Sequence, residues 1–118
     1  MRENIIKNIS FEFAVRIVKL SQYLREQKKE FVLSKQLIRS GTSVGAMIRE
    51  AEHAESNSDF KHKMSIAQKE INETIYWLEL LKETDYLTDE QFESIINDAI
   101  KIIKLITSII KTTKANMS

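Results

Sequence analysis

The sequence has no cysteine, no proline and only two glycines among its 118 residues. Without cysteine there can be no disulfide framework, no thiolate zinc site and no cysteine nucleophile. With so little proline and glycine, the tight turns of a β-rich or loop-rich protein have almost nothing to form them. Nowhere do about 18 apolar residues run together, so no segment is suited to crossing a bilayer. The opening stretch MRENIIKNISFEF lacks the continuous apolar core of a secretion signal, and a cytoplasmic location is expected. A charge excess is missing too. There are 18 basic and 17 acidic side chains, a net charge of +1, whereas a dedicated nucleic-acid binder carries a clear basic surplus.

What is present is helical periodicity. The length suits one domain, because two cores cut from this chain would each be too small for stability. Phe13, Ile17, Leu20 and Leu24 recur at steps of four, three and four, predicting a first helix over about 10–29. Ser34 is the expected N-cap of a second helix over about 34–56, with Leu37, Gly41, Val44, Ile48 and Ala51 inward. Phe31 and Val32 are expected to cover the bundle end between these two helices. A third helix, about 58–83, starts at Ser58 and carries the stripe Phe60, Met64, Ala67, Ile71, Thr74, Leu78 and Leu81. Thr88 and Gln91 form a capping box for a fourth, about 88–113. Short connections between such helices predict an all-α, antiparallel up-down four-helix bundle filling residues 1–118.

The fourth helix carries more apolar surface than one core stripe uses. Its apolar side chains sweep roughly 220° of the wheel, against a little over about 100° for a core-facing helix. Either it is wedged deep between its neighbours, or the excess forms a subunit interface. Large exposed apolar patches are uncommon on monomers, so a homo-oligomer is expected, with Ile95, Ile102 and Ile109, seven apart, at the interface.

Gly41 and Gly45 lie four apart inside the second helix. Each costs about 1 kcal/mol relative to alanine in a helix interior, and close approach of a neighbouring helix is the expected compensation. The pattern does not fit a phosphate loop, which needs a Gly-Lys-Ser/Thr ending and a preceding strand.

These glycines sit in the stretch LSKQLIRSGTSVGAMIREAEHAESNSDFKHKMSIAQKE at 33–70, flanked by FAVRIVKL at 13–20 and ETIYWLELL at 73–81. The combination of Arg39-Ser40-Gly41-Thr42-Ser43, Glu50-Ala51, Asp59-Phe60 and Tyr76-Trp77-Leu78-Glu79 closely resembles the 23S rRNA-intervening-sequence protein family, over residues 10–90. The resemblance implies a small bacterial four-helix bundle. A similar branch, the accessory variability proteins of diversity-generating retroelements, implies a pentameric barrel that binds nucleic acid through basic surfaces and associates with a reverse transcriptase. The chain departs from the pattern at Met47, where the family often has asparagine, and in being far less basic than the retroelement branch.

Three constellations could carry chemistry. Glu50-x-x-His53 and Asp59-x-x-His62 have the carboxylate–histidine spacing of di-metal bundles. Such a centre also needs a carboxylate from each remaining helix; Glu12 could serve, but the fourth helix carries no acid after Asp98. Two solvated histidines are therefore expected, with no metal and no cofactor. Glu70 and Glu73 lie on the helix that bears Trp77, and are expected to pair with Arg39 or Lys69 as internal bonding, or else to line a polar recognition site. Arg16, Lys19 and Tyr23 share a face that mixes charge with a ring able to stack on a base, although Glu12, Glu26 and Glu30 dilute it. The expected function is that of a non-catalytic, homo-oligomeric binding module, pentameric by the resemblance. Its partner would be RNA, DNA or a nucleic-acid enzyme. The alternatives are a protein–protein adaptor without nucleic-acid affinity, and a metal-dependent enzyme using His53 and His62.

Overall fold

The computed structural model describes residues 2–117; Met1 and Ser118, the ends of the expected domain, lie outside them. Four helices follow one another: α1 (Arg2–Glu26), α2 (Leu33–Ala51), α3 (Asn57–Glu83) and α4 (Asp89–Met117). Each packs on its neighbours in chain order, α4 closes against α1, and the backbones of the diagonal pairs stay apart among the described residues. The result is an up-down four-helix bundle, 49 × 21 × 20 Å.

The inward stripes fall where the periodicity places them. Leu37, Gly41, Val44, Ile48 and Ala51 on α2 are buried, as are Met64, Ala67, Ile71, Thr74, Leu78 and Leu81 on α3. Helix α1 starts well before residue 10, because Ile6 continues the line of Phe13 and Ile17 into the core. Helix α4 likewise runs past residue 113, to Met117, while α2 stops at Ala51 rather than 56.

Small buried side chains let the helices approach. A Cβ on Gly41 would stand 2.8 Å from Ile17 Cγ2, so α1 and α2 meet there at a distance only glycine permits. At Gly45 the nearest atom would be the Ser10 carbonyl oxygen at 3.5 Å, an ordinary contact. The Ser21 hydroxyl donates to the Ser34 carbonyl at 3.2 Å, and Thr74 and Ser40 hydroxyls meet at 2.9 Å between α3 and α2. No described buried side-chain polar atom is left unpaired, which is what dry helix contacts require.

The helix ends correct the expected caps. Ser34 does not cap α2; its own amide is capped. The Glu30 carboxylate accepts from the backbone N–H of Val32 (3.2 Å), Leu33 (3.0 Å) and Ser34 (2.7 Å), while the Ser34 hydroxyl donates back to the Glu30 carbonyl at 2.8 Å. A longer acidic side chain thus does the work expected of a serine. Phe31 and Val32 do not cover the bundle end but point to solvent. For α3 the cap is Ser56, two residues before the expected start, and the Asp59 carboxylate reciprocates by accepting from the Glu55 amide. The Thr88–Gln91 box is present, each side chain accepting from the other's amide at 3.1 and 2.9 Å. With no glycine in the connections, Lys29 and Asp85 take the left-handed backbone that ends α1 and α3.

Candidate functional site

The signature residues converge between α2 and α3. Arg39 lies opposite Glu70 and Glu73; its guanidinium donates to Glu70 at 3.2 Å and pairs with Glu73. The Trp77 indole N–H donates to the same Glu73 oxygen at 2.9 Å. That indole bond first, and then Arg39, holds the Glu73 carboxyl below its ordinary range, while Glu73 holds Arg39 above its own. Tyr76 packs edge-on to Trp77 and is exposed. These bonds tie α2 to α3. Lys69, the other cation considered for this pairing, is exposed and takes no part in it.

The α1 patch is dismantled by the fold. Arg16 is bound by α4: it pairs with Asp98 at 2.5 Å and donates to the Ser94 hydroxyl at 2.8 Å and the Ser94 carbonyl at 3.2 Å. Tyr23 is half-buried against the core, and only Lys19 of the three stands free in solvent. The sequence shows a basic, aromatic face on one helix; it does not show which acid the next helix sets against it.

The carboxylates of the carboxylate–histidine pairs are likewise held by other partners. Glu50 pairs with Lys63 at 3.2 Å, and Asp59 is committed to capping α3. His53 lies on a shallow rim with Arg49 and Lys63, and His62 is not among the residues lining it. Among the described residues, no three histidine, aspartate, glutamate or cysteine side chains gather closely enough to hold a metal ion.

The expected interface residues also change place. Ile95, Ile102 and Ile109 are 3, 1 and 3% exposed and belong to the chain's own core. The wide apolar arc is absorbed because α4 sits in the groove between α1 and α3 and presents apolar flanks to both. Of its large apolar residues before the final turn, Ile100 alone reaches solvent substantially.

Unpartnered apolar surface is instead on α1. Phe11 and Val15, one turn apart, are 54 and 39% exposed. The Arg49 guanidinium stands over the Phe11 ring, 5.1 Å from its centroid. Beside them a groove of about 240 Å³ between α1 and α2 is lined by Ala14, Thr42, Gly45 and Ala46, with Lys7 at its end. Phe11 and Val15 had a sequence signal, the four-residue step off the core stripe, but one helix read alone does not show whether a neighbour covers that face. Among the described residues, no helix is long and apolar enough to cross a membrane.

Comparison with known proteins accords with this architecture. The model of the family described as 23S rRNA-intervening sequence protein matches residues 2–108. A solved structure of a protein of unknown function from the S23 ribosomal protein family, from Bacteroides thetaiotaomicron VPI-5482, is similar at 60% identity and a TM-score of 0.93. The alignment covers 94% of this chain and 99% of that one. No curated protein matches the chain.

Proposed function

Because the chain belongs to the 23S rRNA-intervening sequence protein family, we propose that it acts as a non-catalytic, self-associating four-helix module with a nucleic-acid-associated role. The observation that carries this reading is the exposed Phe11–Val15 face, beside a groove floored by small residues. A protruding aromatic next to a shallow groove on the same molecule suits repeated contact between identical copies. The resemblance of the signature segments implies five. Assembly multiplies a weak cationic position such as Lys19 around an axis, and each phosphate contact then adds salt-dependent affinity. The mutual bonding of Arg39, Glu70, Glu73 and Trp77, which ties α2 to α3, supports a scaffold rather than an enzyme.

A second reading, a protein–protein adaptor without nucleic-acid affinity, is favoured by the Arg16–Asp98 pair, which neutralises the cation best placed to meet phosphate. A gel shift with a mixed RNA pool separates the two. Retardation at low salt that disappears as salt rises supports the nucleic-acid role. No retardation at the lowest salt refutes it and leaves the adaptor.

A further inference from the structure

We propose that the α2–α3 end of the bundle holds a binding site for a small amphipathic amine, an apolar or aromatic body with an ammonium head. The site arises because α2 stops at Ala51 while α1 begins at Arg2 and α4 continues to Met117. Past Ala51 the connection, rather than a fourth helix, lies beside them, leaving a cleft of about 540 Å³. That volume falls within the range of small-molecule sites, which combine an apolar interior with a few polar groups at the mouth.

The floor is apolar. Ile6, Ile48, Met64 and Ile109, one from each helix, form it, and Phe60, half-buried, is a wall. The mouth is acidic. Glu52 and Glu55 stand there with Ser56 and Asn57, and among the described residues no arginine, lysine or histidine lines the cleft. Glu52 is bridged to Lys7 at 3.1 Å, whereas Glu55 enters no described ion pair: its backbone amide serves the Asp59 cap and its carboxylate is free. An apolar body removed from water on the floor, with one positive group at Glu55, satisfies both halves of the site. Lys7 already offsets Glu52, so Glu55 is the carboxylate left to meet a positive head and to repel an anionic one. The inference rests on this cleft alone and is independent of self-association or RNA binding.

The test is a heteronuclear NMR titration of the full chain with three isosteric probes: phenethylamine, 2-phenylethanol and phenylacetate. Fragments of this size register at about 10 mM. Expected are shifts at the amides of residues 51–60 and 64, strongest for the amine and least for the carboxylate. In Glu55→Gln, phenethylamine should bind about fivefold more weakly, as for a partly exposed ion pair, with 2-phenylethanol unchanged. Ala54→Trp, which blocks the mouth, should abolish the shifts while helical circular dichroism is retained. The proposal is overturned if phenylacetate binds as well as the amine, if Glu55→Gln leaves the amine unaffected, or if no shifts occur in the cleft.

Discussion

Gly41 and Gly45 are the same residue on the same helix one turn apart, yet replacing each by alanine should have opposite effects. Either change recovers about 1 kcal/mol of helix propensity. At Gly45 the new methyl lies 3.5 Å from its nearest neighbour, so Gly45→Ala should be neutral or stabilising by up to about 1 kcal/mol. At Gly41 the methyl meets Ile17 Cγ2 at 2.8 Å, Cγ1 at 2.9 Å and Cβ at 3.2 Å. All three atoms lie at the root of a fully buried, β-branched side chain on α1, whose χ1 is nearly fixed in a helix. Rotation exchanges one γ carbon for the other and leaves Cβ in place. The helices themselves must separate, and overpacking of this kind costs about 1–3 kcal/mol. Gly41→Ala should therefore fall about 1–3 kcal/mol below Gly45→Ala in urea unfolding at one fixed protein concentration. Ile17→Ala alone should cost about 2–5 kcal/mol. With both γ carbons gone, Gly41→Ala should turn stabilising, giving a coupling of at least about 1 kcal/mol in the double-mutant cycle. Equal stability of the two alanine variants, or an additive cycle, would refute the close-approach argument.

Two further outcomes follow from the polar contacts. Glu30→Ala removes the acceptor of three backbone amides at the start of α2 and should lower stability by about 2 kcal/mol in denaturant melts. Glu30→Gln, which keeps a single oxygen, should lose less. Glu73 has its carboxyl held below 4.5 by Trp77 and Arg39, so its contribution is present above that pH and disappears as pH falls through the lowered value. The stability difference between wild type and Glu73→Gln should be constant from pH 7 to about 5 and shrink below about 4.5. Its size should stay within about 1 kcal/mol, since the group is partly solvated.

Much of the fold was legible because four segments keep a helical period and one of them, α4, begins with a side-chain cap that can be read from spacing. The stripes on α2 and α3 and the Thr88–Gln91 box belong to this class. Features that depend on an unrelated segment were not legible. Ser34 looked like a cap, but Glu30 reaches it first because Lys29 turns the chain left-handed. Arg16 looked free until Asp98 was set against it, and Ile95, Ile102 and Ile109 looked surplus until α4 was seen between two partners. The Arg39–Glu70–Glu73 bonding was legible because opposite charges recur in adjacent helices at matching depth. The bundle-end cleft had no signal, since it comes from where α2 stops relative to α1 and α4.

Self-association through the outer face of α1 is the claim on which the functional reading depends, and sedimentation equilibrium measures it directly. Wild type at micromolar concentration should sediment as a multiple of 13.8 kDa. The double variant Phe11→Glu, Val15→Glu should sediment as a single chain with its helical content intact. A wild-type mass of one chain, or an assembly that the double variant leaves whole, would contradict it.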